Sequence, residues 1–333
     1  MANPDRLPWI RTFVMWGRWP LAIAIVSWMF WQHRDGFDRI AGQQLLWTWV
    51  GIAILLRGIA ILASCVRWWL LVRAQEIIFP LPNALRLGLL GNLCNYVVPG
   101  TVGGDLTKAV LIARDNPGAK ATVTATVVLD RVIGLLALLM VGAAAALLQL
   151  DLWGHPSLSM AMMLFAGGSL AGAVGMSVML HPATVRSRLW TRLADVPKIG
   201  GIIVELTRGV SLYQRRRGVL GGCILLSVAG HVCSLTACYC CAVALQLTDL
   251  APTYLAHLLL VPIAEVAASA LPLPGGIGAR EGALQYLYGI VSTAGVPAAE
   301  AGFYTAVGFS LVSIIVAGIG GGLALALTLA GHG

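Results

Sequence analysis

Ionisable side chains interrupt the long apolar stretches of this sequence, where contact with lipid would make a charge unfavourable. They are Arg57, Asp130, Arg131, Glu265, Arg280 and Glu281, with Asp105 and Lys108 close to a Gly-rich phrase. A charge at the centre of a membrane helix costs about 2.5–3.5 kcal/mol unless it is paired or hydrated. This set therefore indicates either a buried polar site or structural ion pairs, and both readings stay open at this point.

That Gly-rich phrase occurs twice. Its first copy reads VPGTVGGD at 98–105 and its second reads LPGGIGAR at 273–280. Such backbone cannot face lipid, because its N–H and C=O groups would lack partners. A Gly-rich turn that enters a helix can point N–H groups at an anion, and arginine can bind a phosphate through two hydrogen bonds. The repeat therefore predicts a polar site for a phosphate, although Gly and Pro also mark ordinary helix breaks.

Composition places these residues in a membrane. The 333-residue chain is 58% hydrophobic and 11% charged, with a mean hydropathy of +0.84, so it has too little polar surface for a soluble globular protein. Its net charge of +8 comes from bases in short loops beside apolar spans, which favours membrane orientation and anionic lipid over nucleic acid. We predict one membrane domain over residues 1–333, in the bacterial cytoplasmic (inner) membrane.

The pattern of apolar stretches predicts an all-α polytopic fold with about six full spans. They lie at about 19–31, 44–71, 121–150, 157–180, 219–247 and 301–329. The first Gly-rich phrase follows a stretch at 81–99 that is shorter than a comfortable crossing, and both phrases are predicted to form broken, re-entrant hairpins, since inverted repeats are a common plan of transporters. Three spans separate the hairpins, and an odd number inverts the second relative to the first. If 252–273 crosses fully, the chain has about eight spans instead.

In this inverted repeat the halves cover about 44–150 and 219–329, joined by a basic segment at 182–217. Residues 186–217 hold eight of the 22 Lys and Arg residues, so the segment and the N-terminus are predicted to be cytoplasmic. A helix lying on the membrane surface is predicted within 199–213. The two Gly-rich loops are expected to meet near the bilayer midplane from opposite sides, with Arg280 and Asp105 in one polar cavity.

The second span carries several residues typical of a membrane interface. Arg67 and Arg73 stand near its end, where long basic side chains can extend toward water. Trp47, Trp49, Trp68 and Trp69 are expected to anchor its two ends in the headgroup region.

Most of the seven cysteines lie within apolar runs and are predicted to be small packing residues. Cys238 and Cys241 form a C-x-x-C pattern two turns after His231, which could in principle bind a metal. Carboxylates and further histidines are absent from that stretch, so the sequence predicts no metal site and no cofactor.

Three motifs, in order, resemble a known family. They are Asn95-x-x-x-Pro99-Gly100-x-x-Gly103-Gly104-Asp105-x-x-Lys108, then Asp130-Arg131-x-x-Gly134, then Pro274-Gly275-Gly276-Ile277-Gly278-x-Arg280-Glu281. Over nearly the whole chain the sequence resembles the flippase-like membrane domain of lysylphosphatidylglycerol synthases. The resemblance implies movement of lipid across the bilayer, and relatives are associated with aminoacylated phospholipids, hopanoids or polyprenyl-linked sugars. Because the sequence ends at Gly333, without the aminoacyl-transfer domain of full synthases, we expect translocation rather than synthesis.

The motifs and intramembrane charges together give the predicted substrate-binding set. Its members are Asn95, Gly100, Gly103, Gly104, Asp105, Lys108, Asp130, Arg131, Glu265, Gly275, Gly276, Gly278, Arg280 and Glu281. The expected partner is a membrane lipid, either a phospholipid or a polyprenyl-phosphate-linked substrate, with no nucleic acid. No catalytic residue is predicted.

Two other functions remain as alternatives. An integral-membrane transferase could use Asp105 with Glu281 as an acid/base pair, and an accessory subunit could organise a lipid-biosynthetic complex. The sequence favours a transporter over an enzyme, since no metal-binding Asp pair and no nucleotide loop are evident. The formation of a homo-oligomer is a further alternative, because the glycines of the fourth span permit close helix packing.

Overall fold

The structure is a computed structural model that describes residues 27, 28, 31, 42, 44–97, 104, 108, 112, 120–185, 209–271, 273–292 and 294–330. In chain order its helices are α1 (Trp47–Ala74), α2 (Leu81–Val97), α3 (Lys120–Leu148), α4 (Pro156–Leu180), α5 (Pro182–Val185), α6 (Arg217–Ala244), α7 (Tyr254–Ala270), α8 (Ala279–Val291) and α9 (Val296–Ala330). Short 3-10 turns lie at Leu150–Gly154 and Pro274–Gly276. The predicted all-α class is confirmed.

Among the described residues, α1, α3, α4, α6 and α9 are long and apolar enough to cross a membrane. Large apolar side chains remain exposed along them, such as Leu164 and Leu170 on α4, as lipid contact requires. The polytopic membrane prediction is therefore confirmed, and five of the predicted spans coincide with these helices. The first predicted span, at about 19–31, lies outside the described residues apart from 27, 28 and 31.

Helices α7 and α8 are too short to cross the bilayer as single spans. They have 17 and 13 residues, or about 26 and 20 Å, against a hydrocarbon layer of about 30 Å. The Thr253 side chain caps α7 by accepting the Ala256 N–H at 3.3 Å. The two helices pack against each other across the second Gly-rich phrase. This is the hairpin expected from the sequence, and its re-entrant path through the membrane remains a prediction.

The chain divides into two compact units. The first comprises Met1–Arg57, Gly91–Gly104 and Leu235–Gly320, and the second comprises Gly58–Leu90, Asp105–Ser234 and Gly321–Gly333. The first unit thus contains the end of α2 and the whole α7–α8 hairpin, whereas the second contains α3 and α4. The single membrane domain and the repeat halves at 44–150 and 219–329 remain predictions.

The core of the second unit corrects one expectation about the tryptophans. Trp68 is 0% exposed and packs against Val72 and Phe79, so its predicted place at an interface is wrong. Trp47 at the start of the same helix is 74% exposed, as an anchor should be. Successive helical residues point about 100° apart, and the adjacent Trp69 is only partly buried against the same cluster.

The basic segment between α5 and α6 is described only at its ends. Tyr213 lies just before α6, and its hydroxyl donates to the Leu71 carbonyl at 3.0 Å. Burial raises the pKa of this phenol above its ordinary value. The surface helix predicted within 199–213 falls mostly outside the described residues, and residues 209–215 are helical.

Candidate functional site

The second Gly-rich phrase makes the tight turn between α7 and α8. Gly275, Gly276 and Gly278 have φ values of +58°, +71° and +90°, a region that side-chain-bearing residues rarely adopt. A Cβ on Gly275 would lie 2.5 Å from the Tyr96 ring, and one on Gly276 would lie 2.8 Å from the Ala268 Cβ. Backbone conformation and close packing therefore both require glycine here.

Replacing Gly275 by Ala is expected to destabilise the protein by about 1–3 kcal/mol, because it combines left-handed backbone with displacement of Tyr96. Thermal unfolding of the purified protein in detergent measures the effect. Gly318→Ala is the matched control in the same unit, since a Cβ there would meet nothing within 4 Å. Equal melting temperatures for the two variants would show that the turn tolerates a side chain.

Arg280 lies in the first turn of α8 and is 4% exposed. Its Nε donates to Glu265 Oε1 at 2.7 Å, and its Nη2 reaches Oε2 at 3.4 Å. Nη1 donates to the Ser310 hydroxyl at 3.0 Å, and Nη2 also donates to the Gly275 carbonyl at 3.3 Å. In this conformation the guanidinium is bound by the protein's own groups, with a carboxylate on one edge.

The carboxylate of Glu281, the next residue, is also hydrogen-bonded within the protein. It is 2% exposed, and its Oε2 accepts the Gly278 N–H at 2.5 Å. Its Oε1 accepts the Ser310 hydroxyl at 2.5 Å. A carboxylate three residues into a helix that binds the capping N–H is a common way to fix a helix start. The geometry thus makes Glu281 a positioning residue for the turn, and Ser310 joins it to Arg280.

Backbone N–H groups of this turn bond within the chain. The Gly276 N–H donates to the Leu273 carbonyl, and the Ile277 N–H donates to the Pro274 carbonyl, both at 3.1 Å. Because the Gly278 N–H donates to Glu281, three consecutive N–H groups already have hydrogen-bond acceptors. An anion at these groups would have to replace existing hydrogen bonds, so the cradle expected from the glycine pattern is not open here.

Two arginines approach one aromatic ring beside the turn. The Cζ of Arg57 lies 5.2 Å from the ring centroid of Phe309, and the Cζ of Arg280 lies 5.4 Å from it. Such contacts stabilise a cation without neutralising it. The Glu265 side chain is 29% exposed, in contrast to Arg280 and Glu281. Among these carboxylates and Arg280, Glu265 is therefore the group that a ligand can reach most directly.

Part of the first Gly-rich phrase is described. Gly104 donates its N–H to Asn95 Oδ1 at 3.0 Å, and a Cβ on Gly104 would lie 2.0 Å from the Gly91 carbonyl oxygen. Asn95 therefore holds Gly104, at the end of the first Gly-rich phrase, against the end of α2. The neighbouring Tyr96 ring lies against Gly275 of the second phrase, so the end of α2 contacts the second turn.

Gly100, Gly103 and Asp105 lie outside the described residues. The predicted meeting of the two loops, and the shared cavity of Arg280 and Asp105, stay predictions for that reason. Lys108 belongs to the second unit, where its Nζ lies 5.4 Å from the ring centroid of Trp68.

The second unit contains a buried ion pair between Arg67 on α1 and Asp130 on α3. Arg67 Nε donates to Oδ1 at 2.7 Å and Nη2 donates to Oδ2 at 3.0 Å. Nη1 donates to the Ser227 hydroxyl at 2.9 Å, and the two charged side chains are 9% and 6% exposed. The expectation that Arg67 extends to water is wrong, because Asp130 offers it a bidentate partner within the protein.

The pair explains the spacing of the Asp130-Arg131-x-x-Gly134 motif. Asp130 supplies the carboxylate, while Gly134, one turn later, leaves room for the guanidinium. A Cβ on Gly134 would lie 3.3 Å from Arg67 Nη1. Arg131 is exposed. Among the predicted residues of this motif, Asp130 is thus held within an internal contact and Arg131 is the accessible one.

Both units use the same arrangement around a buried arginine. In each, Nε and Nη2 bind one carboxylate and Nη1 binds a serine, Ser310 for Arg280 and Ser227 for Arg67. Sequence reasoning missed both serines and the pairing of Arg67. The position of Arg67 within an apolar span was a signal that it has a buried partner. Nothing in the sequence around Ser227 or Ser310 indicates that these serines bind an arginine.

Comparison with known proteins gives one match. A family model described as Lysylphosphatidylglycerol synthase TM region matches residues 19–321, a range that includes all three motifs. No curated protein and no solved structure matches the chain.

Proposed function

We propose that this chain, which belongs to the Lysylphosphatidylglycerol synthase TM region family, translocates a lipid with a phosphate-bearing headgroup. The family and the five long apolar helices make it an integral membrane protein with a lipid-related function. The headgroup passes through a central polar cavity while the tails stay in lipid. The setting we propose is the bacterial cytoplasmic membrane, with the N-terminus on the cytoplasmic side.

The Arg280–Glu265 pair carries this proposal. A buried cation in a membrane protein calls for a functional explanation, and the carboxylate that holds this one is 29% exposed. Phosphate can bind a guanidinium with the same two-bond geometry as a carboxylate. A headgroup phosphate therefore takes the place of Glu265 on Arg280, while Ser310 keeps its bond to Nη1. The released Glu265 is then available to a cationic or hydroxyl-rich part of the headgroup.

The geometry of Glu281 favours transport over the alternative of a membrane transferase. That enzyme was expected to use Glu281 with Asp105 as an acid/base pair. A general acid or base must reach the proton that it transfers, but both oxygens of Glu281 are bound by Gly278 and Ser310. A residue so placed shapes the turn and is poorly suited to exchange protons with a substrate.

Competition at Arg280 makes an unusual prediction for Glu265→Gln. Removing the competing negative charge should tighten binding of phosphate-bearing lipids about tenfold, or about 1.4 kcal/mol, whereas Arg280→Gln should abolish it. Thermal stabilisation of the purified protein by added lipid measures affinity, because a ligand of the folded state raises stability as its concentration exceeds Kd. Phosphatidylglycerol and undecaprenyl phosphate are compared with diacylglycerol and undecaprenol, which have matching tails.

Arg216 and Glu76 provide the matched control. They form an ion pair at 3.3 Å whose side chains are 44% and 57% exposed, so Glu76→Gln and Arg216→Gln should leave lipid stabilisation unchanged. Translocation of labelled phosphatidylglycerol in proteoliposomes should also fall in Arg280→Gln. Equal stabilisation by phosphate-bearing and uncharged lipids, with no response to either site variant, would rule out phosphate recognition at Arg280.

A further inference from the structure

The α7–α8 hairpin contains a second polar pair that lipid binding does not use. His257 lies about two helical turns before Glu265 on α7, and Tyr288 lies about two turns after Arg280 on α8. The Tyr288 hydroxyl is hydrogen-bonded to His257 Nε2. Both residues are 0% exposed. The hairpin is therefore joined at two levels, by an ion pair near its turn and by a titratable pair toward its open end.

Neutral side chains surround the His257 ring. From α6, the Tyr239 ring lies 5.0 Å away and edge-on, and from α8 the Tyr288 ring lies 5.2 Å away. Cys238 and Cys241 of α6 face the Tyr288 hydroxyl, as does Thr305 of α9. On α7 itself, Tyr254 packs on Tyr239. The charged groups of the same hairpin are Glu265, Arg280 and Glu281. Glu265 and Arg280 are bound to each other, and Glu281 is bound by Gly278 and Ser310.

We propose that His257 is a proton-binding site that couples lipid movement to proton uptake, an inference that rests on the proposed function. Histidine is the side chain whose ordinary titration falls between pH 5 and 8. In its neutral form Nε2 accepts the Tyr288 O–H. Once a proton from water binds there, both ring nitrogens are donors, so the Tyr288 hydroxyl must turn and accept. Protonation thus reverses the hydrogen bond that joins α7 to α8.

The position of His257 links its charge to the conformation of the hairpin. The ring belongs to the first turn of α7, whose N-cap is Thr253, and a helix N-terminus carries a partial positive charge. An imidazolium at this end, among uncharged rings, is better accommodated where the hairpin admits water or a headgroup phosphate. A proton that binds one conformation better shifts the population toward it. Proton binding and lipid binding then become thermodynamically linked.

A pH series on His257→Gln tests the coupling. Transport of labelled phosphatidylglycerol is measured in proteoliposomes from pH 4 to 8, for the natural protein and the variant. The natural protein should change rate about tenfold across this range, and the variant should be almost flat, because glutamine does not titrate. His181→Gln is the control, since His181 is exposed in the turn after α4, and it should keep the full pH dependence.

A second measurement needs no variant. The heat of binding of short-chain phosphatidylglycerol to the natural protein is compared in two buffers with different ionisation enthalpies at one pH. Proton uptake makes the two heats differ, and the difference should vanish in His257→Gln. Tyr288→Phe keeps the ring, loses the hydroxyl, and should shift the pH midpoint of transport.

The two experiments separate this inference from the proposed function. Absence of transport at every pH contradicts the proposed function, and the calorimetric comparison then decides the proton site by itself. Equal heats in both buffers overturn the proton site. So does a pH dependence of transport that survives in a folded His257→Gln protein.

Discussion

Replacing Asp130 by Ala is expected to destabilise the protein by about 3–5 kcal/mol, the typical effect of leaving a buried charge without its partner. Arg67, which is 7% exposed in the natural protein, would lose both hydrogen bonds to the carboxylate. The replacement of Arg67 by Met should also be costly, because it leaves the Asp130 carboxylate, which is 4% exposed, without its cation, even though a flexible apolar side chain fills part of the space. The free energy of unfolding in detergent is the quantity to measure.

The double variant distinguishes a required charge pair from ordinary packing. With Asp130→Ala and Arg67→Met combined, no buried charge is left, so we expect much of the stability lost in Asp130→Ala to return. The exposed Arg216–Glu76 pair serves as the reference cycle and should show a coupling of about 0–1 kcal/mol. Additive effects of Asp130→Ala and Arg67→Met would show that the two side chains contribute independently.

Gly104→Ala is expected to be strongly damaging, because this glycine of the first Gly-rich phrase packs directly against the backbone of α2. Its Cβ would lie 2.0 Å from the carbonyl oxygen of Gly91, a backbone atom of α2 that cannot rotate away. Either α2 or the segment that contains Gly104 must shift, and this shift breaks the hydrogen bond from Gly104 to Asn95. We expect a destabilisation of about 3 kcal/mol, at the upper end of overpacking effects.

Gly51→Ala is the control for this effect in the same unit, because nothing lies within 4 Å of a Cβ there. Alanine has the higher helix propensity, so that variant should be neutral or slightly more stable. Thermal unfolding and elution as a single species compare the two. A Gly104→Ala protein as stable as Gly51→Ala would contradict the close approach of the two backbones.

The sequence by itself determined the helices and the turn. A run of apolar residues long enough for the hydrocarbon layer has few alternatives to a helix, since every backbone group must be satisfied locally. Predicted spans at 157–180 and 219–247 accordingly correspond to α4 and α6. The second Gly-rich phrase predicted a break for an equally local reason, because only glycine adopts the left-handed backbone found at Gly275 and Gly276 freely.

Tertiary structure decided what each charged side chain does. Arg67 and Asp130 are 63 residues apart, and only the packing of α1 on α3 brings them together, so the expected path of Arg67 to water was wrong. Glu281 would look the same in sequence whether it met a headgroup or capped a helix. Its role depends on two hydrogen bonds, one from the Gly278 N–H and one from the Ser310 hydroxyl. Hydropathy and backbone sterics act over a few residues and can be read along the chain, whereas the choice of a partner depends on which helices meet.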